Sequence, residues 1–175
     1  MNSRIVVILI GLWATSIMVA LLMANGNQLK DFDPDLTLAQ AASKQHFDES
    51  FADILQDAGI GHGTVVHFTA NTRCFCNQLS ESHQLEISNS LANSGYGFST
   101  VSISEHPAIG NVINHFPALA VIDKLGKLRY LGPYATGLGC FTGNNLVADI
   151  ARIATSEQYL GATVNTEARG CFCAA

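Results

Sequence analysis

Twenty consecutive residues without a charge, Ile5 to Ala24, constrain this chain before anything else does. As a helix, such a segment reaches across a hydrocarbon core of about 30 Å. A cleaved signal peptide has a shorter apolar region, about 7–15 residues, and ends in small residues around the cut. Here Leu22 would occupy the third position before a cut after Ala24, a poor site. Residues 1–25 therefore read as an uncleaved transmembrane signal anchor, with a cleaved signal as the alternative. Arg4 and the α-amino group precede the run, whereas Lys30 beyond it sits among Asp31, Asp33 and Asp35. The positive-inside rule leaves the N-terminus in the cytoplasm and the rest outside. For a Gram-negative cell this means a single-pass protein of the inner membrane, held through residues 5–24, with its C-terminal domain facing the periplasm. That compartment is oxidising, so the five cysteines are expected to be paired or reactive.

The remaining chain is long enough for one domain with a real core. Its net charge of −5 offers nothing to neutralise phosphates, so no nucleic-acid partner is expected. Residues 26–37 are polar and turn-rich and read as a tether. Thr37 is a candidate cap for a helix to Ala58, with Phe47, Phe51, Ile54, Leu55 and Ala58 at helical spacing and Gly59 as its stop. "TVVHFTA" after Gly63 reads as a buried strand. A helix follows with Leu79, His83, Ile87 and Leu91 on one stripe, then a parallel strand, "GFSTVSIS". After a loop or short helix over 105–116, "PALAVID" and "KLRYLG" form a hairpin, and Asn144 to Ala154 form a last helix. This order predicts an α/β domain over 38–156, a mixed sheet flanked by helices, followed by a patternless tail over 157–175.

Cys-Phe-Cys occurs twice, at Cys74–Cys76 and Cys171–Cys173, each time after a basic residue, Arg73 or Arg169. The first pair directly follows the first core strand, and Pro117 opens the hairpin. "HFTANTRCFC" and "FPALAVIDKLGKLRYLGP" in this order resemble the strand-plus-active-site segment and the hairpin of the thioredoxin-like superfamily. The anchor makes its tethered periplasmic thiol–disulfide proteins the nearest likeness. The resemblance covers roughly residues 40–155, and its departure is Cys-x-Cys where the family has Cys-x-x-Cys. It implies a cis-proline at Pro117 shaping the active-site groove and a substrate-contact position at Phe116. It places Cys76 on the family's buried second cysteine, Arg73 on its exposed nucleophile, and His67 where many relatives keep a buried proton-transfer carboxylate. His67 is thus a proton-transfer candidate, or else a satisfied core histidine.

The chemistry of the first pair points the same way. A helix start and the Arg73 guanidinium both favour thiolate, which makes Cys74 the expected nucleophile and Cys76 the resolving partner. A Cys74–Cys76 disulfide falls within the usual Cα window of about 4.4–6.8 Å. In a helical turn, however, the two side chains diverge by about 200°, so the bond is strained and labile. Cys140, in the glycine-rich "TGLGCFTGNN", is either a third thiol near the pair or a small packed cysteine. The tail reaches up to about 45 Å if extended, so Cys171 and Cys173 have three possible fates. They relay electrons to the first pair, or complete a four-thiolate Cu or Zn site with Cys74 and Cys76, or form a structural disulfide with each other or with the domain. His115 is the candidate extra ligand for copper. His83 reads as partly buried packing and His62 as a loop residue.

The leading expectation is a membrane-tethered thiol–disulfide oxidoreductase acting on protein thiols and disulfides outside the cytoplasmic membrane. Sulfur carries the electrons, so no cofactor is needed. Two alternatives stay open: a Cu- or Zn-binding protein such as a copper chaperone on the same fold, and a non-catalytic interaction module.

Overall fold

The computed structural model describes residues 3–26, 29–137 and 143–175. Helix α1 (Ser3–Gly26) contains a stretch, Arg4–Met23, of mean hydropathy 2.7 that none of the described residues buries. It is long and apolar enough to cross a membrane.

The rest is a mixed α/β fold. In chain order it comprises β1 (Lys30–Asp31), α2 (Thr37–Ala42), α3 (Phe47–Asp57), β2 (Thr64–Thr69), α4 (Phe75–Leu79), α5 (Glu81–Ala92) and β3 (Gly97–Ser102). A 3-10 turn (Ile103–Glu105) and α6 (Pro107–Gly110) lead to β4 (His115–Phe116), β5 (Ala118–Ile122) and β6 (Leu128–Gly132). Then come α7 (Val147–Thr155), β7 (Thr163–Val164), β8 (Arg169–Gly170) and β9 (Cys173–Ala174). Five strands form the main sheet in the order β3-β2-β5-β6-β7. β2 runs parallel to β3 and antiparallel to β5, β5 antiparallel to β6, and β6 parallel to β7.

Strand alternation sorts the core into two layers. Val66 and Phe68 of β2 face a large cluster with Phe51, Leu55, Ile109, Phe116 and Leu131. Val65 faces a second cluster in which Ile87 and Leu91 of α5 meet Val147 and Ile150 of α7. All of β5 and β6 is buried, as a sheet covered on both faces requires. The Phe116–Pro117 peptide is cis.

Four expectations change. The helix from Thr37 to Ala58 is two helices, broken over Ser43–His46, with His46 at φ 63°. Its start is satisfied not by Thr37 but by Asp33, whose buried carboxylate accepts the N–H groups of Leu38 (3.1 Å) and Ala39 (2.7 Å). The last helix begins at Val147 rather than Asn144, because the Asn145 side chain accepts the Val147 N–H at 2.9 Å. The stretch read as a tether is folded from Lys30 onward: β1 pairs with β8, and Phe32 is buried.

The tail departs furthest from a patternless extension. Buried Arg129 donates to the carbonyls of Ile153, Ser156 and Gln158, which guides the chain out of α7. Asp48 then accepts the Tyr159 hydroxyl (2.7 Å) and the Ala162 N–H (2.8 Å). β7 joins the sheet edge, β8 pairs with β1, and β9 pairs antiparallel with β4. Phe172 is buried edge-on against Phe32, with ring centroids 5.1 Å apart.

Candidate functional site: two bridged Cys-Phe-Cys segments

β2 ends at Thr69 and delivers a short exposed loop, Asn71–Arg73, to the first cysteine pair. Cys74 is extended (φ −127°, ψ 119°) and flanks α4, while Cys76 lies inside α4. The last turns of the tail bring the second pair alongside. Neither pair closes on itself. Cys74 is bonded to Cys173, with Cα atoms 6.3 Å apart, and Cys76 to Cys171, with Cα atoms 5.3 Å apart. The Cys74–Cys76 bond weighed above therefore gives way to two nested bridges between the segments. They span 99 and 95 residues.

This pairing follows from the strands. Cys173 sits opposite Phe116 in the β4–β9 pair, which puts its backbone beside the segment leading into Pro117. Phe116, the expected substrate-contact position, has its side chain fully in the core, and its strand neighbour is the chain's own tail. Gly170 permits the approach. A Cβ there would lie 3.0 Å from the Phe172 ring and 3.1 Å from the Gly137 carbonyl oxygen, closer than a side chain tolerates.

The sulfurs form one group. The Sγ atoms of Cys74, Cys76 and Cys173 all lie within 4.8 Å of one another, and Cys171 is bonded into the group through Cys76. The two bridges differ in surroundings. Cys74 is 8% exposed and belongs to the large core cluster. Cys76 and Cys171 instead line a small cavity, about 40 Å³, together with His83, Pro117 and Tyr134. That volume has room for one or two waters against the sulfurs.

His83 is the residue sequence reasoning underrated. It is buried on the α5 stripe, as expected, but it also faces this cavity, and neither ring nitrogen has a hydrogen-bond partner among the described residues, the Glu86 carboxylate lying 4.0 Å from Nδ1. Its place on the apolar stripe close after the cysteine pair was the available signal, although Cys76 and His83 lie in successive helices. Tyr134 had no comparable signal; it enters because the chain turns back after β6.

His67 is buried on β2, between the rings of Phe98 and Tyr134, and its Nδ1 is hydrogen-bonded to the Tyr134 hydroxyl. Burial pushes the His67 pKa down and that of Tyr134 well up. Tyr134 is therefore the donor and a neutral His67 the acceptor, which leaves the ring proton on Nε2. His67 reaches the cavity only through Tyr134. The same burial predicts a pH effect, since His115 also has its pKa lowered, chiefly by burial. Above 6.5, the ordinary value, neither native nor unfolded chain protonates these rings. Below it the unfolded chain takes up protons that the native chain refuses, so stability falls with pH, by at most about 1.4 kcal/mol per pH unit per ring. His67→Gln, which keeps an acceptor for Tyr134, is expected to flatten roughly half of this decline between pH 6.5 and 5 in urea unfolding. An unchanged slope would mean that His67 protonates in the native state.

The remaining candidates are placed as follows. Arg73 is exposed beside Cys74. His115 is buried on β4, with Nδ1 2.8 Å from Asn114 Oδ1. Its strand partner is Ala174 rather than Cys173, so alternation directs it away from the sulfurs, and it is not part of their group. Cys140 lies outside the described residues.

Residues 40–175 match the family described as a domain of unknown function, DUF6436, and the chain belongs to that family. The matched span begins beyond the apolar helix and runs through the tail, so both Cys-Phe-Cys segments lie within it. No curated protein and no solved structure matches the chain.

Proposed function

We propose that this chain is a thioredoxin-like thiol–disulfide oxidoreductase, tethered by its N-terminal helix and working on protein thiols and disulfides on the periplasmic side of the inner membrane. The observation that carries this reading is the Cys76–Cys171 bridge, which lines a cavity beside Pro117 with the buried His83 imidazole facing the same space.

The chemistry balances without a cofactor. An incoming substrate thiolate attacks Cys171 Sγ, a new substrate–Cys171 disulfide forms, and Cys76 leaves as thiolate. A second substrate thiol, as thiolate, attacks the substrate sulfur of that mixed disulfide and expels Cys171. The substrate dithiol has become a disulfide, and one protein disulfide has become two thiols, with two electrons transferred. The reverse sequence reduces a substrate disulfide. Cys76 Sγ lies within 4.8 Å of Cys74 and Cys173 Sγ, so its thiolate can also attack the Cys74–Cys173 bridge and pass the opening inward. Cys74, the nucleophile expected from sequence, then acts as the second sulfur of the relay. Proton traffic at the cavity falls to His83, with His67 acting through Tyr134.

The test is exchange with a reduced dithiol peptide, followed by trapping of mixed disulfides. The oxidised chain is expected to convert the peptide stoichiometrically. The paired variant Cys76→Ser, Cys171→Ser keeps the Cys74–Cys173 bridge and should be slower by at least about tenfold, because the attacking thiolate loses the sulfurs that line the cavity. Equal rates would move the reaction elsewhere. No exchange by the unmodified chain would favour the non-catalytic module.

A further inference from the structure

We infer that the same four cysteines, once reduced, are a thiolate site for a soft closed-shell cation, Zn²⁺ or Cu⁺. This does not rest on the exchange activity, because it concerns where the fold holds the sulfurs when no bridge joins them.

Three sulfurs, those of Cys74, Cys76 and Cys173, already lie within 4.8 Å of one another. A tetrahedral zinc–thiolate site has Zn–S bonds of about 2.3 Å and hence sulfur–sulfur edges of about 3.8 Å. Opening a bridge lets its two sulfurs part toward that distance. Cys171, freed from Cys76, starts beside the group and supplies the fourth ligand by side-chain rotation. The three-sulfur set alone suits Cu⁺, which accepts fewer thiolates.

Contacts other than the bridges also hold the segments together. β8 is hydrogen-bonded to β1, β9 to β4, and the Ala175 N–H to the Asn114 carbonyl at 2.9 Å, while Phe172 stays anchored against Phe32. Cys74, Cys76 and Cys173 pack against the apolar core, where a bare set of thiolates is costly and a bound cation offsets their charge. No carboxylate or histidine joins the group among the described residues, so the donor set is purely sulfur and selects against hard cations. Each bridge takes two electrons and two protons to open. A dithiol such as dithiothreitol supplies them and is itself oxidised to a cyclic disulfide. Metal binding then displaces the thiol protons.

The experiment uses the full-length chain in detergent, reduced by dithiothreitol and freed of it without oxygen. It is titrated with Co²⁺ as a spectroscopic stand-in for Zn²⁺, then with Zn²⁺, and separately with Cu⁺. About one metal per chain is expected, with thiolate-to-cobalt charge-transfer bands that Zn²⁺ abolishes and release of about four protons. The oxidised chain should bind none. Cys171→Ser distinguishes the two cations: a four-thiolate zinc site loses its tetrahedral cobalt spectrum, whereas a three-thiolate copper site keeps its stoichiometry. Circular dichroism follows folding in parallel, so a reduced chain that unfolds and is refolded by metal also supports the site. Metal uptake no greater than in the oxidised chain overturns it, as does unchanged uptake when Cys74 and Cys76 are both serine. Loss of uptake in Cys140→Ser overturns the assigned ligand set.

Discussion

Replacing all four bridging cysteines by serine is expected to remove about 6–7 kcal/mol of stability, more than the two single-bridge losses together. The reason is topological. The bridges span 99 and 95 residues but join the same two short segments. With either one in place, the long loop is already closed, and the other closes only the ring of Cys74, Phe75, Cys76, Cys171, Phe172 and Cys173, worth about 2 kcal/mol in chain entropy. Removing the last bridge opens the whole loop, worth about 4.7 kcal/mol at that length. Cys74→Ser with Cys173→Ser, and Cys76→Ser with Cys171→Ser, should therefore each cost about 2 kcal/mol, and the quadruple variant about three times as much. Against a typical total of about 5–15 kcal/mol, the quadruple variant sits near the edge of folding. Urea midpoints and slopes measure all four proteins. Losses of about 3 kcal/mol that are equal in both paired variants and in the quadruple variant would instead indicate bridges within each Cys-Phe-Cys, since either paired variant then breaks both, and would refute the nested pairing.

The second large effect separates two phenylalanines in identical local sequence. Phe172→Ala is expected to cost about 3–5 kcal/mol, the range for emptying a buried aromatic site. Phe172 is 4% exposed and packs edge-on against Phe32 within the large core cluster. Phe75→Ala, in the first Cys-Phe-Cys, should cost less than about 0.5 kcal/mol, because that ring is 68% exposed. Both variants keep every bridge, so the difference reads the docking of the tail rather than its covalent attachment. Thermal unfolding of the two oxidised variants decides it. Similar midpoints would mean that the tail is tied on but not packed. An exposed Phe75 beside the sulfurs also makes Phe75→Ala a clean probe of substrate contact, free of any stability change.

The central strands were legible because each carries its own pattern. A run of β-branched and apolar residues after Gly63 is β2, and the Lys-Leu-Gly turn joins β5 to β6 in the expected antiparallel hairpin. The stripe from Leu79 to Leu91 was equally clear, and His83, Ile87 and Leu91 are buried along it. Helix ends were less so. Asp33 satisfies α2 from five and six residues away, and spacing within the helix carries no trace of that contact. β1, β4, β7, β8 and β9 have two residues each, too short for any period to show.

By itself the sequence determined a span-length apolar helix, a mixed sheet with covered faces, and two closely spaced pairs of cysteines. Each of these depends on residues within a turn or a strand of one another, where periodicity and propensity act. Only the tertiary structure decided which cysteine meets which. That choice depends on where residues 157–175 lie, and their path is set by long-range contacts: Arg129 with the carbonyls after α7, Asp48 with Tyr159 and Ala162, and Phe172 with Phe32. Asp48 and Ala162 are 114 positions apart, and Phe32 and Phe172 further still, so no local signal could encode these contacts. Burial of one aromatic ring and the pairing of three short strands bring the second Cys-Phe-Cys against the first.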